Sequence, residues 1–177
     1  MRWPRPASAS RKSRGLAASA AYIDGLKMLA RRELSEQQVR QRLAGKGHDP
    51  DAIDDAVARL RGERAIDDAR VAEAIARTET SLKRRGKLRV RMQIERAGIA
   101  KNVAKSAVDA VFDSIDDDAL IEAALQKRLR QRDQIADDRE FQRLYRFLVS
   151  QGFEHYRVIA VLNKHKGLKG YKGHEEY

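Results

Sequence analysis

Three stretches of this chain with little else in common set a glycine in the same apolar frame. Gly47 lies between Leu43 and the pair Ile53 and Val57, Gly98 between Ile94 and the pair Ala104 and Val108, and Gly152 between Leu148 and the pair Val158 and Leu162. The apolar positions fall four residues before each glycine and six and ten after it, and the glycines are 51 and 54 residues apart. Spacing by four marks one face of a helix. A glycine at the end of such a face can take the left-handed conformation that closes it. The chain therefore reads as a tandem repeat, in which each unit of about 50 residues buries little surface alone and leans on its neighbours. Arrays of plain helices present surfaces, so an enzyme is not expected.

Composition agrees with helix. Ala, Arg, Leu, Glu, Asp and Gln dominate, there are only three prolines, and alternating strand patterns are nearly absent. Local signals then place nine helices in three groups of three. In the first group, a helix from Ala20 to Arg32 shows Tyr22, Leu26 and Leu29 on one face. Ser35-Glu-Gln-Gln38 opens a second helix as a capping box, in which the hydroxyl accepts from the N3 amide and Gln38 reaches back. Asp49-Pro50 opens a third, with a capping acid and a proline in the first turn, leading to Ile53, Val57 and Leu60.

The second group begins at Asp67-Asp68 with a long helix marked by Val71, Ile75 and Leu82, and breaks at Gly86. Val90 and Ile94 mark its middle helix, and Ala104, Val108, Val111 and Ile115 its last. The third group opens at Asp116-Asp117-Asp118, restarts at Asp137 with Phe141, Leu144, Tyr145 and Leu148, and ends with Phe153 to His165. The expected architecture is all-α: three tandem three-helix repeats at 16–66, 67–115 and 116–166, in an elongated array able to curve. A basic arm at 1–15 and a glycine-rich tail at 167–177 are expected to be disordered.

Charge narrows the partners. The net charge is +11, and 36% of residues are charged against about 25% in ordinary soluble proteins. Such an excess suits nucleic acid, a nucleoprotein or an acidic protein face. It is banded: residues 83–105 hold nine basic residues and one acid, whereas 48–68 hold seven acids and three basics. The absence of cysteine removes disulfides and thiolate chemistry and suits a reducing cytoplasm. Asp24 and Lys27 interrupt the first apolar stretch, so a signal peptide is not expected, and no run of about 18 apolar residues suggests a membrane span.

The stretch Leu29-Ala-Arg-Arg-Glu-Leu-Ser35-Glu-Gln-Gln-Val-Arg-Gln-Arg-Leu43-Ala-Gly-Lys-Gly47-His-Asp-Pro-Asp-Ala-Ile53 resembles the RecX family of recombination regulators. Asp67-Asp68-Ala-Arg70, which opens the second unit, and Phe147-Leu-Val-Ser-Gln-Gly152-Phe153 in the third add to the resemblance, which covers residues 20–165. Val71 stands where the family usually has Phe, and Gly86-Lys87 where it often has Gly-Pro. The resemblance implies three tandem three-helix repeats. It also implies a regulator of homologous recombination and DNA repair that binds the RecA recombinase filament, with single-stranded DNA within or beside it. Such a regulator suppresses the ATPase and strand exchange or limits filament growth, and is expected to work as a cytoplasmic monomer.

The foremost candidate contact is Lys83, Arg84, Arg85, Lys87, Arg89 and Arg91, six cations around the break at Gly86. Side-chain cations beside the free amides of a helix start suit phosphate; the alternative is a solvated surface stretch. Lys101 and Lys105 share a helix face and could extend the patch. Lys127, Arg128, Arg130 and Arg132 would encircle their helix rather than form one stripe. The acid runs at 67–68, 116–118 and 137–138 all sit at helix starts and are read as caps. The four histidines form no ligand-spaced pair and there is no Gly-x-x-x-x-Gly-Lys-Ser/Thr loop of the nucleoside triphosphatase kind, so no catalytic residue, metal or cofactor is expected. A general DNA- or RNA-binding protein, or a scaffold for an acidic partner, would share the same charge.

Overall fold

The computed structural model describes residues 11–130 and 132–166. Among these residues there are nine α-helices and no strand, the one extended feature being an isolated parallel bridge between Ile135 and Lys166. No helix among them is long and apolar enough to cross a membrane. The described residues fall into two compact units. One runs up to Val71 and includes Ala97–Ala100; the other holds Ala72–Arg96 and the chain from Lys101 onward.

In the first unit, α1 (Arg11–Leu29), α2 (Glu36–Gly45) and α3 (Pro50–Gly62) enclose Leu34, Val39, Leu43, Ile53, Val57, Leu60 and Ile66. The capping box forms: the Ser35 hydroxyl accepts from the Gln38 amide at 3.2 Å, and the Ser35 amide donates to the Gln38 side chain. Asp49 accepts from the Asp51 amide, and Pro50 occupies the first turn of α3.

Two expectations for α1 are corrected. It begins at Arg11, so residues 11–15 are helical rather than part of a disordered arm; residues 1–10 and 167–177 lie outside the described residues. Of its expected packing face, Tyr22 and Leu29 lie against the core, but Leu26 does not. Leu26 is exposed, while Ala21 and Gly25 are buried, and a Cβ on Gly25 would lie 2.7 Å from Leu60 Cδ1. Small residues win because α1 and α3 approach too closely for leucine between them. Tyr22 also lies half-buried under the Arg59 guanidinium, and its hydroxyl donates to Glu63 at 2.7 Å.

The start of α2 is bound a second time. The Ser35 hydroxyl donates to the Ala97 carbonyl, and the Glu36 amide donates to Asp68 Oδ1 at 2.9 Å. Asp67 and Asp68 therefore divide the work: Asp67 caps its own helix through the Arg70 amide, and Asp68 caps α2.

In the second unit, α4 (Asp68–Ser81, from its second turn on) is followed by α5 (Lys87–Arg96), α6 (Lys101–Phe112), α7 (Asp117–Leu129), α8 (Asp138–Ser150) and α9 (His155–Lys164). Asp116 and Asp137 cap α7 and α8 as expected. Ile121, Leu125, Leu129, Leu144, Leu148, Phe153, Val158 and Leu162 form one core. Leu82, read as part of the buried face of α4, lies beyond its end and is exposed; Ala72, Ala76, Glu79 and Thr80 carry that face.

The three repeat glycines all have left-handed φ: +85° at Gly47, +82° at Gly98 and +89° at Gly152. After α2, His48 donates to the Leu43 carbonyl and Gly47 to that of Ala44; after α8, Phe153 and Gly152 do the same to Leu148 and Val149. This is the glycine-closed helix end that the apolar residue four positions earlier announces.

Candidate polyanion-binding groove

The second unit contains a groove of about 1190 Å³ between the end of α4 and the facing surfaces of α7 and α8. Lys83, Arg84 and Arg85 line it from the α4–α5 connection, Lys127, Arg128, Arg130 and Arg132 from the end of α7, and Arg143 from α8. No carboxylate among the described residues belongs to its lining.

Local structure explains the convergence. α7 ends at Leu129, so the four cations at 127–132 do not encircle a helix: Arg130 turns left-handed with φ +50°, its amide on the Gln126 carbonyl. Arg84 likewise takes φ +52° just past α4, with its amide on the Thr80 carbonyl. Three helices thus end near left-handed arginines where glycine would cost less, α3 at Arg64 and these two, and Arg84 and Arg130 line the groove.

Most of these cations are held. Glu79, buried on α4, accepts from Lys83 Nζ at 2.6 Å and from Arg85. Glu140, buried at the start of α8, accepts from Arg132 at 2.6 Å and Arg143 at 3.1 Å, as well as from the Ala136 amide. Arg132, followed by that amide, keeps the Glu140 carboxyl below the usual carboxylate range. The Arg84 guanidinium donates to the Ala123 carbonyl at 2.9 Å, and that of Arg128 lies 4.1 Å from the centre of the Phe147 ring. Lys127 and Arg130 have no ionic partner among the described residues.

The eight cations singled out from the sequence therefore separate. Lys83, Arg84 and Arg85 enter the groove; Lys87, Arg89, Arg91, Lys101 and Lys105 do not line it. Lys87 lies 3.9 Å from Asp117 and over the Phe112 ring, and Arg89 donates to the Ser150 carbonyl at the end of α8. Arg91 and Lys105 pair along their own helices with Glu95 and Asp109. Lys101 is exposed at the start of α6. What periodicity does not show is the company that 83–85 keeps: Arg143, the cluster at 127–132 and the two buried glutamates. The sequence signal for the last two was a charge on the inward face of an amphipathic helix.

No group of three or more His, Asp or Glu among the described residues is placed to hold a metal ion. A family model for the first three-helix domain of RecX matches residues 21–60. The regulatory protein RecX of Geobacillus kaustophilus is 31% identical over 142 residues, 80% of this chain and 52% of that protein. The chain thus aligns with about half the length of that relative. The regulatory protein RecX of Chromohalobacter salexigens is 33% identical over 135 residues, 76% of this chain and 86% of that protein. The crystal structure of RecX from Lactobacillus salivarius superimposes with a TM-score of 0.69 at 18% identity, over 85% of this chain and 97% of that one, a likeness of fold.

Proposed function

This chain belongs to the RecX family of regulatory proteins, and we propose that it regulates homologous recombination by binding the RecA–single-stranded-DNA filament, inhibiting RecA's ATPase and strand exchange. It acts stoichiometrically as a cytoplasmic monomer, through surface contact, without a catalytic residue or cofactor. The supporting observation is the groove: eight cations, no lining carboxylate among the described residues, and most of the cationic side chains already held in place. Cations fixed over a cleft suit the phosphates of a nucleoprotein, and each phosphate they neutralise releases counterions and strengthens binding at low salt. Lys83, Arg84 and Arg85 are filament contacts in this reading. Lys101 adds an exposed cation on α6, while Lys87, Arg89, Arg91 and Lys105 contribute chiefly to the fold and its surface charge.

The test is RecA's DNA-dependent ATPase with this protein titrated in. Inhibition is expected, and an Arg84→Glu/Arg128→Glu/Arg130→Glu variant is expected to need about tenfold or more protein for the same effect. No inhibition at an excess over RecA removes the reading. Strong binding to bare DNA without effect on the ATPase would instead favour a general nucleic-acid-binding protein.

A further inference from the structure

Glu79 and Glu140 are the two buried carboxylates of this chain's described residues, and both lie immediately beneath the groove. Taking a carboxylate out of water is expensive, and an apolar residue of similar size often serves a core at least as well as a buried ion pair. Each of these two carboxylates holds a pair of cations from different local frames. Glu79 joins Lys83, one turn along, to Arg85, beyond the end of its helix; Glu140 joins Arg143 on its own helix to Arg132 from the preceding segment. Three of the four cation heads remain well exposed: the side chains of Lys83, Arg132 and Arg143 are 49%, 51% and 71% exposed and that of Arg85 21%, against 5% and 8% for the glutamates.

From this arrangement, and resting on the reading of the groove as a nucleic-acid contact, we propose that Glu79 and Glu140 are positioning residues. Each buried carboxylate fixes two groove cations for successive phosphates of a single nucleic-acid strand, so that neutralising either weakens binding although it makes the groove more positive. Long cationic side chains lose rotamer freedom when a ligand orders them; a carboxylate that has already ordered them removes that cost from the binding step. A single strand is the fitting occupant. The groove is a cleft of about 1190 Å³ lined by cations from facing segments, which suits the single line of phosphates of one strand. Its one aromatic, Phe147, is covered by Arg128 and offers no bare face for a base, so recognition falls on the backbone.

The opposite signs of the two effects make the test decisive. Fluorescence anisotropy of a labelled oligothymidylate is measured against salt with the full chain and with Glu79→Gln and Glu140→Gln. Positioning predicts binding weaker by about fivefold or more for two side chains left to order on contact. The slope of log affinity against log salt stays unchanged, because the same phosphates are neutralised. Unchanged or tighter binding with a steeper slope overturns the inference. Thermal melting accompanies each variant; should Glu140→Gln disturb the start of α8, Glu79→Gln decides alone. Arg128→Glu separates the two levels. If it binds as well as the unsubstituted chain, or if the unsubstituted chain does not bind the oligonucleotide, the groove reading itself falls. If it loses binding while Glu79→Gln does not, only the positioning role is lost.

Discussion

The amide of Gly86 donates to the carbonyl of Gln151 at 3.0 Å, joining the residue before α5 to the residue before the terminator glycine of α8. The same relationship occurs one repeat earlier by other means, where the hydroxyl of Ser35, the residue before α2, donates to the carbonyl of Ala97, the residue before Gly98. Terminator glycines thus close a helix and also receive the start of a middle helix from the preceding part of the chain. Gly152 abuts Arg89, and Gly98 abuts Gln37. Gly47, the first terminator, has nothing within 4 Å of where a Cβ would be.

This difference ranks three substitutions that look equivalent in sequence. Gly47→Ala meets only the left-handed backbone penalty, about 1 kcal/mol. Gly98→Ala adds a clash with Gln37, whose Cβ would lie 2.6 Å away, and Gly152→Ala a clash with the backbone of Arg89, which cannot swing aside. Overpacking of this kind adds about 1–3 kcal/mol. Denaturant unfolding is expected to order the losses 47, then 98, then 152.

Ser35→Ala removes two hydrogen bonds at once, the cap on the Gln38 amide and the donor to Ala97, at a fully buried site. The expected cost is about 1–2 kcal/mol, read as a lowered urea midpoint. Ser35→Asp, which keeps the cap acceptor but has no donor for Ala97 and buries a charge, is expected not to restore stability.

Arg84 and Arg130 set stability against binding. Glycine relieves the left-handed strain at either position, so Arg84→Gly and Arg130→Gly are expected to hold or raise the melting temperature, by at most about 1 kcal/mol of stability. Each removes a groove cation, and oligonucleotide affinity is expected to fall, with the salt slope shallower by roughly 0.7 per lost phosphate contact. Arg91→Glu and Lys105→Glu, whose cations pair on their own helices away from the groove, serve as comparisons.

His165 places Nδ1 2.9 Å from the Asp133 carbonyl and Nε2 2.9 Å from Glu122. Two acceptors require two N–H donors, which only the imidazolium has. Burial opposes that charge, but the Asp133 carbonyl and the Glu122 carboxylate outweigh it and raise the histidine's pKa. A raised folded-state value contributes stability that is complete below the unfolded value of about 6.5 and is lost as pH climbs through the folded value. His165→Asn is therefore expected to destabilise the protein more at pH 5.5 than at pH 8.5, measured by urea unfolding at both; equal losses would sink the assignment.

Much of the architecture was readable along the chain. The glycine frame, the capping box at Ser35 and Gln38, and the caps at Asp49, Asp116 and Asp137 are local devices whose geometry spans a few residues. Backbone sterics and hydrogen-bond reach act over that same distance, so residue order suffices to reveal them. The resemblance to a repeat family added its order of units. The face of α1 was readable only in part: Tyr22 and Leu29 pack as their spacing suggests, but Gly25, not Leu26, is buried between them by the nearness of Leu60, a residue on another helix.

The groove divides in the same way. Its charge was plain in the composition, and three of its cations stood in the basic run at 83–85. Their separation from Lys87, Arg89 and Arg91, and their union with Arg128, Arg130 and Arg143, depended on where α4 and α7 end and on which carboxylates lie beneath them. Sequence order alone established a helical repeat and its excess of positive charge, since propensity, capping and net charge are sums over neighbouring or over all residues. The choice of which cations share a site belonged to packing: Coulomb attraction and hydrogen bonds act through space, and Arg85 and Arg130 meet in one groove only when the folded chain brings them there.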